Sequence, residues 1–312
     1  MSRIVTITFN PVVDKSTTVS SLVPEKKLRC TAPKFEPGGG GLNVSRAIKK
    51  LGGDSMAIFP AGGYSGKFLQ QLTAAEGVPF LAVEISSHTR ENLIVLDTSN
   101  NQQYRFGMPG PELTEAEWTA CLDRLDEQQD VAFIVASGSL APGVPDDVHA
   151  QIASIARRKG AKLIVDTSGP ALQHAVNEGL FMIKPNLHEL SSLVGREEVV
   201  ANEVDDVARE LISKGQCELI IVSLGAAGAM AVTREEVFQM APPVVKKKST
   251  VGAGDSMVAG IVLSLSRGAS VQEALRYGIA CGTAATMNEG TELCRLEDVN
   301  RLYPHVRTTA VL

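Results

Sequence analysis

Aromatic residues are scarce: they make up 4% of 312 positions, with one tryptophan. Stacking platforms for bases or sugar rings are therefore poorly supplied. A basic excess is missing too. Against 30 Lys and Arg stand 35 Asp and Glu, a net charge of −5, which argues against a dedicated nucleic-acid binder. Cysteine is sparse and odd in number. Cys30, Cys121, Cys217, Cys281 and Cys294 form no C-x-x-C, so neither a disulfide framework nor a structural zinc site is expected. No apolar run approaches the ~18 residues of a membrane span. The start, MSRIVTITFN, lacks the apolar stretch of a signal peptide. The expectation is a soluble cytoplasmic protein with no nucleic-acid or membrane partner.

Several catalytic signatures are absent as well. A dinucleotide-binding first strand runs into G-x-G-x-x-G, but here it runs into NPVVDKS. The nearest approach to a P-loop is GGYSGKF at 62–68. Its spacing is one short, and Phe68 stands where a hydroxyl should hold magnesium. No H-E-x-x-H, G-x-S-x-G or H-R-D occurs.

What is present is a core-forming composition, 44% hydrophobic and 21% charged. The length fits two domains, or one large α/β unit with an appendage. Strand patterns at 3–9, 55–61, 131–137, 162–166, 181–185, 218–223 and 229–233 alternate with helical ones. The helices fall near 42–51, 64–75, 114–127, 145–158, 253–266, 270–287 and 296–303. Thr114 with Glu117 three residues on forms a capping box. Such alternation predicts a mainly parallel sheet covered on both faces. Two β-only stretches, about 11–36 and 86–108, break the rhythm. They are read as insertions forming a small sheet that projects from a single domain.

Glycine is 28 of 312, and nine of the 28 lie between 38 and 66, so its placement matters more than its abundance. PGGGGLNVSRA at 37–47 puts four glycines ahead of a helix, which permits close approach of a ligand to backbone. A flexible loop is the plainer reading. STVGAGDSM at 249–257 opens another helix. Gly252, Ala253 and Gly254 can aim successive amides at one anion, helped by the helix N-terminus. Asp255 follows in the first turn. It is either a helix-start acid or a general base beside that nest, and one geometry can satisfy both. In KPNLHEL at 184–190, Lys184 can reach a phosphate. Asn186 and Glu189 share a helix face and can hold hydrated Mg²⁺, or simply cap the helix. SLGAAG at 223–228 is by itself an ordinary turn.

Together these strings resemble the PfkB family of carbohydrate kinases. The resemblance runs from NPVVD at 10–14 to NEGTELC at 288–294. Its two signatures, the glycine run with Asn43 and GAGD at 252–255, stand about 210 residues apart. KKLRCTAP at 26–33, FEPGGGGLNV at 35–44, TREN at 89–92, QYRFGMPG at 103–110 and SGSLAPGV at 137–144 are similar to the branch acting on fructose 6-phosphate.

The resemblance implies a ribokinase-like three-layer α/β/α sandwich with a small β-sheet lid. It implies transfer of the γ-phosphoryl of ATP to the C1 hydroxyl of the sugar. Asp255 would take the proton, and the amides of Gly252, Ala253 and Gly254 would form the anion hole. Asp14, Gly39 and Asn43 would hold sugar hydroxyls. Arg90, Ser139 and Lys27 would hold the 6-phosphate. Lys184, Asn186, Ser223, Gly225 and Gly228 would line the nucleotide site, with Asn186 and Glu189 ordering Mg²⁺ through water. Ser249, Val251, Ala285, Asn288 and Gly290 would bind K⁺. The family usually has Asp-Thr where this chain has Ser249-Thr250. Ser45 and Arg46 replace a common alanine position, read as a small change at the helix surface.

Three alternatives stay open. Tagatose-6-phosphate kinases and 1-phosphofructokinases of the family usually carry a lysine inside the glycine run, which this chain lacks at 38–41. A non-catalytic sugar-phosphate or nucleotide sensor could use the same fold. Val12, Val13, Leu22, Leu28, Leu93, Val95 and Phe106 on the lid exceed what a monomer could bury. A homodimer through the lid sheets is expected, with Lys27 near the partner's site. His88 and His188 are read as incidental, and the run Lys246–Lys248 as a solvated face.

Overall fold

A computed structural model describes residues 3–309. The first strand, β1 (Arg3–Ile7), is followed by β2 (Val12–Val19), β3 (Lys34–Gly38), α1 (Gly40–Lys50) and β4 (Ser55–Ala61). Then come α2 (Gly63–Ala75), β5 (Phe80–Glu84), β6 (Arg90–Asp97), β7 (Gln102–Phe106) and α3 (Glu115–Asp126). The alternation continues with β8 (Val131–Ser137), α4 (Val148–Lys159), β9 (Lys162–Asp166), α5 (Gly169–Ala175), β10 (Leu180–Ile183) and α6 (Leu187–Leu193). The last third holds α7 (Val204–Ser213), β11 (Cys217–Ser223), β12 (Ala229–Val232), β13 (Val237–Ala241), α8 (Ala253–Ser266), α9 (Val271–Thr286), α10 (Leu296–Leu302) and β14 (Arg307–Thr309).

Ten strands form one sheet in the order β14-β13-β12-β11-β10-β9-β8-β1-β4-β5. From β11 to β5 neighbouring strands are parallel, and β12 to β14 add an antiparallel edge. Successive side chains serve opposite faces. Leu163 and Val165 of β9 pack with α3, α4, α5 and α7, whereas Ile164 packs with α1, α8 and α9. Both faces are apolar because both are covered by helices. No helix among the described residues is long and apolar enough to cross a membrane.

The second sheet, β3-β2-β6-β7, is the predicted projection. It is mixed: β2 and β6 run parallel, and the outer strands antiparallel. Between β2 and β3 only a single bridge, Val19 to Cys30, interrupts irregular chain, so the first stretch is less regular than its composition suggested. Val12, Val13 and Val95 are buried within the one chain, but Phe106 is 43% exposed.

Three predicted elements match to the residue: β4, β8 and β9. The sequence reading passed over α5, α7, β13 and β14. The last two are short strands, β13 held by β12 and β14 added on β13 at the edge, and nothing local marks them.

The site follows from the strand order. After β1 the chain builds outward through β4 and β5, then returns to the other side of β1 with β8. Adjacent connections thus diverge between β1 and β8, and a crevice opens at the carboxyl ends there. The glycine run enters this crevice. A Cβ on Gly40 would sit 2.5 Å from the Gly138 amide nitrogen, and one on Gly41 would sit 2.6 Å from the Ile7 carbonyl oxygen. Helix α1 can therefore start against the strand ends only without side chains at those positions. Gly41→Ala should destabilise the fold by ~1–3 kcal/mol through overpacking. A lower urea midpoint with an unchanged slope would show it; an unchanged midpoint would refute the close-approach argument.

Candidate active site

Two helices begin at the crevice. Helix α1 starts behind Gly39, which has φ +112°, and α8 behind Gly252, which has φ +72°. Both values favour glycine. The first bond within α8 is donated by the Ser256 amide to the Gly252 carbonyl. The amides of Gly254 and Asp255 precede it and have no partner inside the helix, which makes this end receptive to an anion. Ala253 makes only a long 3.4 Å contact to the Thr250 carbonyl.

Asp255 is met from the other helix. The Asn43 side-chain amide donates to Asp255 Oδ2 at 2.9 Å, across 212 residues of sequence. Burial pushes the Asp255 carboxyl up to about 6; nearby Asp166 adds to the rise, and Asn43, Lys184 and Arg46 oppose it. Asp166 ends β9, and its Oδ1 lies 3.2 Å from Lys184 Nζ. Burial alone would lower the Lys184 ammonium, but Asp166 foremost, with Asp255 and Glu189, holds it above its ordinary value. A Cβ on Gly254 would lie 3.5 Å from that ammonium, so Lys184 stands over the start of α8.

Two cavities border these helix starts, Gly39 lining one and Ala253 and Gly254 the other. One, of about 200 Å³, is lined by Asp14, Gly39, Arg90, Asn92, Arg105 and Val251 among others. Asp14 is 7% exposed, and Asn92 donates to its Oδ1 at 3.2 Å. Burial raises the Asp14 carboxyl, against that hydrogen bond and the charges of Arg46 and Arg90. Arg90 Nη2 donates to the Asn10 carbonyl at 2.8 Å, and Asn10 Nδ2 reaches Ser139 Oγ at 3.3 Å. Arg105 Nη2 spans from β7 to Thr250 Oγ1 at 3.2 Å. Lys27 is exposed in the β2–β3 connection and lines neither cavity.

The other cavity, of about 560 Å³, is lined by Lys184, Asn186, Ser223, Gly225 and Gly228. Pro242, Val244, Val245, Met257 and Ile279 add apolar walls, and Lys247 stands on its lining. The remaining lysines of that run are exposed, and Lys248 pairs with Glu289 at 3.2 Å. Asn186 and Glu189 form a capping box: Asn186 Oδ1 accepts from the Glu189 amide at 2.8 Å, and Glu189 Oε2 from the Asn186 amide at 2.9 Å. The capping reading is therefore realised, and Glu189 Oε1 is left over for other use. No cluster of three or more metal-ligating His, Cys, Asp or Glu exists among the described residues.

The residues expected to hold K⁺ are adjacent. Ser249 Oγ donates to the Gly290 carbonyl at 2.7 Å and accepts from the Val251 amide at 3.2 Å. The Ala285 carbonyl accepts from the Asn288 amide at 3.1 Å, and the Asn288 side chain donates to the Leu293 carbonyl at 2.8 Å.

The chain belongs to the PfkB family. The pfkB family carbohydrate kinase model matches residues 4–298. The ATP-dependent 6-phosphofructokinase isozyme 2 of Escherichia coli is 46% identical, covering 98% of this chain and 99% of that one. A 1-phosphofructokinase of Bacillus subtilis is 31% identical, covering 98% of this chain and 99% of its own. Crystal structures of E. coli phosphofructokinase-2 align over 98% of this chain and 99% of theirs. The TM-score is 0.94 for the complex with potassium and 0.93 for that with fructose-6-phosphate. A further structure of that protein is of a tetrameric inhibited form. The ribokinase of Arabidopsis thaliana, 18% identical with TM-score 0.76 over 97% of this chain and 98% of its own, shares the fold. The fold is thus ribokinase-like.

One sequence reading is corrected. Ser45 and Arg46 do not lie on the helix surface; they are 0% and 1% exposed. Ser45 Oγ bonds Thr6 and Ser55, and Arg46 forks onto Glu76 with distances of 2.6 and 2.9 Å. Asp166 and Asn92 were not singled out. Asp166 had a signal: an acid ending the apolar strand KLIVD at the carboxyl rim. Asn92 stood within the quoted TREN.

The raised Asp255 has a consequence for stability. Folding binds its proton more tightly than the unfolded chain does, so ionised Asp255 costs folded-state stability. That cost is absent below the ordinary value of 3.8 and complete above about 6. Asp255→Asn should therefore raise Tm at pH 8 and lose this gain at pH 4. Thermal melts at both values check it; a lower Tm at pH 8 would contradict the sign.

Proposed function

We propose that the chain is an ATP-dependent 6-phosphofructokinase, moving the γ-phosphoryl of ATP to the C1 hydroxyl of fructose 6-phosphate. The carrying observation is Asp255, buried at the start of α8, held by Asn43 and facing Lys184, which lines the larger cavity. The sugar occupies the small cavity, with hydroxyls on Asp14, Gly39 and Asn43. Arg90 and Ser139 take its 6-phosphate; Arg suits bidentate phosphate binding. ATP occupies the larger cavity, its adenine against the apolar walls and its phosphates toward Lys184, Asn186, Ser223, Gly225 and Gly228.

Asp255 accepts the C1 proton as the oxygen attacks phosphorus. The Gly252–Gly254 amides and Lys184 stabilise the charge that spreads over the moving group. Catalysis is then mostly positioning and electrostatics. Glu189, through its spare oxygen, and Asn186 would hold a hydrated Mg²⁺, which would neutralise phosphate charge. The carbonyls of Val251, Ala285 and Gly290, with Ser249 and Asn288, suit K⁺. Ser249 supplies a hydroxyl there where the family usually has a carboxylate. The free cysteines suit the reducing cytoplasm.

Identity favours fructose 6-phosphate over fructose 1-phosphate: 46% with the isozyme 2 relative against 31% with the 1-phosphofructokinase. A phosphosugar panel in a coupled ADP-release assay, with and without K⁺, tests this. Fructose 6-phosphate should give the largest kcat/KM, and kcat should fall as pH drops through about 6, because Asp255 must be ionised. Asp255→Asn should lower kcat ~10²–10⁴-fold with substrate binding retained. Preference for tagatose 6-phosphate or fructose 1-phosphate would overturn the substrate. Binding of both ligands without turnover by the wild type would instead indicate a sensor.

The lid supports a homodimer. Phe106 is 43% exposed on β7, an edge strand of the small sheet, and such edges invite pairing. Lys27 would then approach the 6-phosphate in the partner's site. Light scattering at assay concentration should give twice the chain mass or a multiple of it; a monomer would refute the arrangement.

A further inference from the structure

Arg46 is 1% exposed, and a buried guanidinium persists only with partners on every side. Its Nε and Nη2 meet Glu76 Oε2 and Oε1 at 2.9 and 2.6 Å, anchoring it to the end of α2. Its Nη1 bonds the Pro37 carbonyl on the lid strand β3 and Asn43 Oδ1 at 3.0 Å. Glu36, on that same strand, lies 3.8 Å from Nη2 and accepts from Thr291 at 2.8 Å.

A guanidinium has five donors and no acceptor. Whatever atom of Asn43 faces it must therefore be the oxygen. The nitrogen is then forced to the opposite side, where Asp255 accepts from it. A free asparagine could equally turn its oxygen toward Asp255, which would repel the carboxylate. We infer that Arg46 is a positioning residue of this site: it fixes the sense of the Asn43 amide and so maintains the hydrogen bond to Asp255. The inference rests on the kinase reading. It also joins the lid strand to the base, because the group that orients Asn43 is itself held by the backbone of β3.

The charged groups facing Asp255 are Asp166 from β9, Lys184 after β10 and Arg46 from α1. Of the cations, only Arg46 also orients Asn43. Removing it takes away both an attractive charge and the amide's orientation, and both changes raise the Asp255 carboxyl. Arg46→Gln should lower kcat at least ~10-fold, leave the KM for ATP nearly unchanged, and move the acidic limb of the kcat–pH profile upward. Because Arg46 acts mainly through Asn43, adding Arg46→Gln to Asn43→Ala should slow the enzyme by much less than Arg46→Gln slows the wild type. If Arg46→Gln does not fold, Arg46→Lys serves instead. It keeps a charge beside Glu76 but lacks the second arm that reaches Asn43, so smaller shifts in the same direction are expected.

A folded variant with wild-type kcat and pH limb would overturn the inference, as would single-variant losses that multiply in the double variant. NMR titration of the Asp255 carboxyl reads the same change without turnover. It should move upward in either Arg46 variant; a wild-type titration refutes the positioning role. A wild type inert toward every phosphosugar would sink the kinase reading, and the titration would still judge Arg46.

Discussion

The structure depends on one hydrogen bond, from the amide of Asn43 to the carboxylate of Asp255. It closes only if two helix starts, far apart in sequence, are delivered to the same point. Their glycines make that delivery possible. Gly40 and Gly41 let α1 abut the strand ends, and Gly252 turns the chain sharply into α8. The sheet beneath supplies the fixed frame, since β1 and β8 hold the crevice between them. Packing, turn geometry and site chemistry thus share the same residues.

The charges follow a similar logic. Asp14, Asp166 and Asp255 converge in a protein that is acidic overall, yet the site can accept two polyanionic substrates. Each carboxylate is countered locally: Asp166 by Lys184, Asp14 by Arg90 and Arg46, and Asp255 by Asn43, Lys184 and Arg46. The positive field is a matter of placement rather than of net charge. Bulk composition argues against a dedicated nucleic-acid binder but is blind to phosphate.

Much of this was legible in the sequence, and the reasons are specific. The strands β4, β8 and β9 are short apolar runs bounded by polar or glycine residues, so their limits are local. Lys184, Asn186, Ser223, Gly225 and Gly228, expected together from the sequence, line one cavity because they lie in the connections after the parallel strands β10 and β11. The misses lie where meaning depends on distant partners. Arg46 looked like a surface residue because an arginine on an amphipathic helix usually is one; its burial requires Glu76, 30 residues on, and the carbonyl of Pro37. The short strands β13 and β14 have no local pattern beyond what their pairing, β13 on β12 and β14 on β13, imposes.

The place of β1 has a consequence for how the chain comes into being. This first strand ends up inside the large sheet, third from one edge, with Ile4 against Ser55 on one side and against Phe133 on the other. Its second neighbour is thus made more than a hundred residues later. At ribosomal speeds of about 5–20 residues per second, that leaves roughly ten seconds in which one edge of an apolar strand is open. During that interval β4 and β5 can already cover its other edge, and α1 and α2 can pack on them. The emerging crevice rim, glycine run included, would then be assembled before the half of the protein that carries Asp255 has been synthesised.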